Sequence, residues 1–269
     1  PIMDVSKQNN VTIDNITFKY SGRFGIDLCG CDGSTITNCE LGFIGGAIQS
    51  GTTRLGNAIQ TWNGVKNQVI ANNWIYQIYD AGITWQGDNK YKTIHMSDTY
   101  ENITYENNLI EYCSMSFEFW HGNDEYDAEG KTTYTHPYQT RAKVINFKII
   151  NNLSRLPGWG WGAQRTDHLG SHITCYQHIF PNARQNVISG NIFDSAYGFL
   201  VLWTMPSGSA TNGDNGEWNI SNNTWYQQPS RYNEGIRYNG SWNSAENQLQ
   251  LESIVAGFDT APKLVKWFQ

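Results

Sequence analysis

Glu118 stands between Phe117 and Phe119 in the run Ser116-Phe117-Glu118-Phe119-Trp120. A carboxylate in the middle of an apolar strand is a poor choice for folding alone. Flanking aromatic rings would desolvate it and raise its pKa, the condition for a general acid near neutral pH. Two aspartates are candidates to work with it as nucleophile or base: Asp80 in Ile78-Tyr79-Asp80-Ala81-Gly82, and Asp167 in Gln164-Arg165-Thr166-Asp167-His168. The plainer readings are structural, with Glu118 an outward polar residue on a strand and Asp80 the cap of a turn. His168 beside Asp167 and Arg165 could act in catalysis, bind an acidic sugar, or only hydrogen-bond within the fold.

These residues need a scaffold, and a recurring asparagine points to one. The segments Ile13-Asp14-Asn15-Ile16, Ile36-Thr37-Asn38-Cys39, Ala71-Asn72-Asn73-Trp74, Glu106-Asn107-Asn108-Leu109, Ile150-Asn151-Asn152-Leu153, Ser189-Gly190-Asn191-Ile192 and Ser221-Asn222-Asn223-Thr224 share one pattern. Counted on Asn15, Asn38, Asn73, Asn108, Asn152, Asn191 and Asn223, the steps are 23, 35, 35, 44, 39 and 32 residues. A step near 23 suits one bare turn of a right-handed parallel β-helix, and longer steps suit the same turn carrying loops. Asparagine tolerates the left-handed backbone needed at a sharp bend, and stacked asparagines can hydrogen-bond up an interior. The expected fold is all-β, a single-stranded right-handed parallel β-helix over residues 1–269, with loop insertions on one face. Residues 256–269 are expected to form a C-terminal cover, with Pro262 ending regular pairing. The opening Pro1-Ile2-Met3-Asp4-Val5 reads as the middle of a repeat, so earlier turns, a cap and an export signal are expected upstream of this sequence.

A second strand recurs after each asparagine: Gly25-Ile26-Asp27-Leu28, Gly46-Ala47-Ile48-Gln49, Asn57-Ala58-Ile59-Gln60-Thr61-Trp62, Gly82-Ile83-Thr84-Trp85-Gln86, Ser116 to Trp120, Gly160-Trp161-Gly162-Ala163-Gln164, and Gly198-Phe199-Leu200-Val201-Leu202. Side chains alternate along a strand, and neighbouring strands lie about 4.8 Å apart. With Ile83, Trp85, Phe117 and Phe119 inward, Gln60, Trp62, Thr84, Gln86, Glu118, Trp120 and Gln164 would tile one outer surface. Amides, a carboxylate and indoles on such a face suit a sugar chain, whose hydroxyls need donors and acceptors and whose C–H faces lie on aromatic rings. The substrate-binding set expected is therefore Trp62, Gln60, Gln86, Trp120, Gln164, Arg165, His168 and His121. The competing reading is that the tryptophans merely cover the scaffold.

Composition narrows the partners. A net charge of −6 with only 16% charged residues offers no basic stripe for nucleic acid. No run of 18 apolar residues exists to span a membrane. The odd cysteine count, five, reads as small buried fillers, and Cys29-x-Cys31 is too isolated for a zinc site. Seven Asn-x-Ser/Thr triplets, at Asn10, Asn15, Asn102, Asn152, Asn219, Asn222 and Asn239, read as structural coincidence in so Asn-rich a chain. No metal or cofactor is expected; calcium is the one ion the loop Glu125-x-Asp127-x-Glu129-Gly130 could attract. That loop lacks the full ligand set and reads better as a mobile insertion. Asn212-Gly213-Asp214-Asn215-Gly216 reads as a turn.

The run Arg54 to Trp62, then Ile78 to Gly87, then Ser116 to Trp120, resembles secreted bacterial right-handed β-helix proteins of the carbohydrate-active class. Gly160 to Asp167 and Asn191-Ile192-Phe193-Asp194 fit the same pattern, so the resemblance runs from about Arg54 to Trp225. It implies a glycoside hydrolase using two carboxylates on an extracellular or periplasmic polysaccharide or oligosaccharide. It also admits a polysaccharide lyase or epimerase on a uronic-acid polymer, for which Arg165, His168 and Lys143 are available. A non-catalytic glycan-binding or fibre module is the third member of the class. Insertions around residues 50 to 66, 87 to 100 and 121 to 143 favour a shaped cleft over a bare fibre.

Overall fold

The computed structural model describes residues 1–87, 99–122, 124–126, 132–135, 142–165, 170–175, 180, 182–203, 216–229, 234–238 and 241–268. The chain is an all-β protein built on large parallel sheets. Seven strands stack in sequence order in one sheet: Thr12–Asp14, Thr35–Thr37, Val65–Ala71, Thr99–Glu106, Lys143–Ile150, Asn186–Ser189 and Trp218–Ser221. A 15-stranded sheet supplies two more faces. One runs through Thr17–Ser21, Glu40–Ile44, Leu153–Arg155, Ile192–Asp194, Thr224–Gln227 and Leu264–Trp267; the other through Met3–Asp4, Ile26–Asp27, Ile59–Trp62, Ser171–Cys175 and Phe199–Trp203. The long strands Trp74–Gly87 and Leu109–His121 belong to both faces, and their pairing shifts register between Ile78 and Ala81. Parallel pairing between segments one repeat apart is compatible with a parallel β-helix.

Strand-forming residues at alternating positions build the core. Ile26, Ile59, Ile83, Phe117, Ile173 and Val201 are in register from repeat to repeat, and all are fully buried. Each such side chain contributes about 1.5–3 kcal/mol by leaving water. Trp85 stacks on Phe119 with ring centroids 5.1 Å apart, and Tyr100, Phe147 and Phe180 pack around the same indole.

The asparagine pattern divides into two jobs at adjacent positions. Asn15, Asn38, Asn72, Asn107, Asn151 and Asn222 take the left-handed backbone, with Gly190 in the same place. The residues that follow, Asn73, Asn108, Asn152, Asn191 and Asn223, point inward and are buried. Asn15 and Asn38 therefore correspond to the first asparagine of the later pairs, not to Asn73; Cys39 holds the inward position of its repeat, donating its N–H to Asn73 Oδ1 at 2.9 Å. Each inward asparagine then sends both its backbone N–H and its Nδ2 to the Oδ1 of the next, at 2.9–3.0 Å. Asp259 receives the last pair, from Asn223, on Oδ2.

The ends differ from expectation. The closing segment adds a strand: Leu264–Trp267 pairs in parallel with Thr224–Gln227, so pairing resumes just after Pro262. The covering element is instead the helix Gln248–Ala256, capped by Asn247 and burying Leu251 and Val255. Asp124–Tyr126 forms an antiparallel hairpin with Thr132–Thr135, where a mobile insertion is expected from sequence; residues 127–131, like residues 212–215 of the turn expected at 212–216, lie outside the described residues. Cys31, Cys39, Cys113 and Cys175 are buried and Cys29 is half-buried. Asn152, one of the sequon asparagines, is sealed in the interior ladder. Among the described residues, no helix is long and apolar enough to cross a membrane.

Candidate active site

One outward column crosses the repeats beside the core column just described. Asp4, Asp27, Gln60, Thr84, Glu118, Thr174 and Leu202 are in mutual register. Two residues further along the same strands, Trp62, Gln86 and Trp120 form a second column. Trp62 and Trp120 belong to strands two steps apart, about 9.6 Å, yet their rings approach to 5.7 Å at 35°. The two indoles lean together across Gln86, and all three side chains remain partly exposed.

Glu118 is held by its neighbours on the preceding strand. Gln86 Nε2 donates to its Oε2 at 2.6 Å and Thr84 Oγ1 donates to the same oxygen at 3.3 Å. Among the described residues, both hydrogen bonds to the Glu118 carboxyl fall on Oε2. The carboxyl is pushed up to about 7: desolvation is the largest cause and the Asp80 charge adds to it, while Arg165 and the two hydrogen bonds pull the other way. Some of Glu118 still reaches solvent, so the desolvation reflects crowding by protein around the carboxyl rather than full enclosure. Phe117 and Phe119 are not its neighbours; they point to the opposite, core side of the strand. The flanking-ring cause expected from sequence is therefore replaced by packing on the outer face.

Asp80 lies at the bend where the strand leaves one face for the next. Its side chain is 5% exposed and accepts from Arg165 Nη1. Arg165 is delivered by a 3-10 turn, Gly160–Gln164. This turn sits directly on the backbone of the long strand: a Cβ at Gly162 would stand 2.4 Å from Ser114 N. Gln77 Oε1 accepts from Trp161 N at 2.7 Å and fixes the start of the turn. The segment expected as a repeat strand here is thus not one. The strand of that repeat is Ser171–Cys175, where His172 Nδ1 lies 2.6 Å from Ser154 Oγ and its Nε2 is buried without a partner.

The expected site residues separate as follows. Glu118, Asp80, Arg165, Gln86, Trp62 and Trp120 gather around one region. Gln60 is in the column but 6% exposed, its Oε1 taken by Asn57 Nδ2 at 2.8 Å. His121 is 1% exposed, with Nδ1 2.8 Å from Gly122 O and its ring edge-on to Tyr100. Gln164 is exposed on the 3-10 turn rather than on a strand of the face. Asp167 and His168 lie outside the described residues. Among the described residues, no group of three or more His, Cys, Asp or Glu side chains could hold a metal ion.

Two residues of this region escape the sequence reading, Asp27 and Trp161, while Thr84, expected on the outer surface, is a second donor to Glu118. Asp27 shares the column; desolvation first, and the charge of Asp4 next, raise its pKa, and its Oδ1 is buried without a partner. Its signal was available, because Asp27 and Glu118 stand two residues after Gly25 and Ser116 in the same strand pattern. Trp161 is on the turn that ends at Arg165 and is 40% exposed.

Comparison with protein-family models, with curated proteins and with solved structures finds no match for the chain.

Proposed function

We propose that this chain is a right-handed parallel β-helix of the secreted bacterial carbohydrate-active class and acts as a glycoside hydrolase on a polysaccharide or oligosaccharide. The observation that carries the reading is the state of Glu118. A carboxyl pushed up to about 7, with Oε2 engaged by Gln86 and Thr84, is suited to give a proton from its other oxygen. The leaned pair Trp62 and Trp120 supports a sugar ring beside it by C–H contact with the indoles.

In this reading Glu118 protonates the glycosidic oxygen as the bond from the anomeric carbon to that oxygen breaks. A second carboxylate, Asp80 or Asp167, serves as nucleophile or takes the proton of the attacking water, whose oxygen ends on the anomeric carbon. Asp80 would have to part from Arg165 to do so, and its charge meanwhile keeps the proton on Glu118. The lyase and epimerase reading would use Arg165, an always-protonated group, to neutralise the uronate carboxylate, and that charge is already engaged by Asp80.

The test is digestion of a polysaccharide panel by wild type and Glu118→Gln, read by reducing-sugar release and by absorbance of unsaturated products. New reducing ends without unsaturation, lost in the variant, are expected. Unsaturated products would overturn the hydrolase reading in favour of a lyase, and no product of either kind would favour a binding module.

A further inference from the structure

Trp161 is a large apolar side chain left in water on a short turn, and the turn holding it is rigidly seated. Its backbone N–H is bound by Gln77. Gly160 has φ +60° and no room for a side chain, since a Cβ there would meet Gln77 Oε1 at 2.7 Å and Tyr112 Cβ at 3.0 Å. Gly162 is pressed onto the backbone at Cys113 and Ser114. The indole itself lies along Gly46, where a Cβ would stand 3.3 Å from its Cζ2 and 3.0 Å from Tyr79. Trp161 is therefore next to Tyr79, the residue preceding Asp80, and four residues before the arginine that binds Asp80.

This places indoles on two sides of the acidic cluster. Asp80 and Gln86 are on one strand, six residues apart, which is at most about 20 Å at 3.3 Å per residue. Trp62 and Trp120 stand at the Gln86 end and Trp161 at the Asp80 end, with Glu118 paired to Thr84 between them. A rigid exposed ring loses little entropy on binding, so its contact area is well used. The polar groups between the rings, Glu118, Gln86 and Arg165, match a hydroxyl-rich ligand rather than an apolar one.

We propose that Trp161 is a second sugar-stacking subsite, on the far side of Glu118 from Trp62 and Trp120, so that a pyranose chain lies along the strand direction with an indole contact at each end. This rests on the glycan reading above and extends it by giving the bound chain its direction and its minimum length. A ligand reaching both ends must have several sugar units, whereas a disaccharide touches one end only.

The experiment is calorimetric titration of the Glu118→Gln protein with gluco-, xylo-, manno- and galacto-oligosaccharides of two to eight residues, repeated after adding Trp161→Ala, Trp161→Phe or Trp62→Ala. Trp161→Ala is expected to weaken the longest bound oligosaccharide on the order of ten-fold, to leave the shortest bound one unchanged, and to be largely rescued by Trp161→Phe. Equal loss at every length, no loss at any length, or no binding of any series by the folded parent would overturn the subsite. The hydrolase reading is judged separately by turnover of wild type. A length-dependent Trp161 effect without turnover would keep the subsite and remove the enzyme.

Discussion

Gln86 Nε2 donates to Glu118 Oε2 at 2.6 Å from the strand alongside, and so decides which carboxyl oxygen is left to carry the proton. The amide can only donate through that nitrogen, so it favours a bare Oε2 and leaves the proton to Oε1. Substituting Gln86→Leu removes this preference and the opposing hydrogen bond. The pKa of Glu118 should rise above about 7, and activity should fall while the fold is retained; carboxyl NMR of the labelled protein and kcat/KM against pH would check both.

Asp80 acts on the same proton through its charge. In Asp80→Asn the negative charge is gone while Arg165 remains, so the Glu118 pKa should drop. The fraction protonated near pH 7 then falls, and the descending limb of any activity profile moves to lower pH. Carboxyl titration of Glu118 measures this even if Asp80 is itself needed for turnover. An unchanged titration would show that Asp80 does not reach Glu118 electrostatically.

Gly162→Ala should disturb the site from behind. Its methyl would meet the backbone at Ser114 and Cys113, which cannot swing aside, so the 3-10 turn must lift and carry Arg165 away from Asp80. A stability loss of about 1–3 kcal/mol in chemical denaturation is expected. The Glu118 pKa should rise with it as the arginine withdraws, which a purely local packing defect would not produce.

His172 sets the acid limit of the fold. Burial pushes its pKa down to about 3, and its Nε2 has no partner. The unfolded chain binds a proton there near 6.5, so between about 6.5 and 3 the unfolded state holds more protons and stability falls as pH falls. Urea midpoints measured from pH 7 down to 4 should decline, and His172→Leu should flatten that decline. A variant as acid-sensitive as wild type would place the cause elsewhere.

Asn152 has five ladder and carbonyl bonds to lose. Its Nδ2 serves Tyr105 O, Ile150 O and Asn191 Oδ1, and its Oδ1 receives both donors of Asn108. Asn152→Ala should cost roughly 3–5 kcal/mol by leaving these buried groups unpaired. Thermal unfolding of the variant against Asn151→Gly, a change at the adjacent left-handed position, would separate the two roles, because glycine accepts that backbone and should cost far less.

The repeat pattern was legible because it follows from simple requirements. A bend needs a residue that tolerates positive φ, the interior amides need each other, and the strands between alternate as Ile83-Thr84-Trp85-Gln86 does. Two things were not legible. Asn-Asn pairs do not say which member turns the chain and which faces inward, so Asn15 and Asn38 were aligned with the wrong partner. Gly160-Trp161-Gly162-Ala163-Gln164 imitates Gly82-Ile83-Thr84-Trp85-Gln86 in its glycine and tryptophan but has no β-branched residue, and its glycines serve close seating on Ser114 instead. At the site, Glu118 stood out by its unsuitability for its strand. Its real environment came from residues 32 and 34 positions away, Gln86 and Thr84, which only the register brings together.

The interior asparagine series has a direction. Every inward amide from Asn73 to Asn223 accepts on its oxygen from the repeat before and gives one Nδ2 hydrogen bond to the repeat after, while the same Nδ2 also donates back to a carbonyl of an earlier repeat, so the side-chain carbonyl dipoles add along the stack as peptide dipoles do along a helix. The positive end of that array falls at Asp259, where a carboxylate takes the last asparagine's hydrogens and the indole N–H of Trp225. A side-chain macrodipole thus ends on an anion. Its other oxygen, Oδ1, accepts from Ala261 N at 3.1 Å, so an asparagine there would set an amide nitrogen against that N–H, and a single oxygen-for-nitrogen difference tells the stack where to stop.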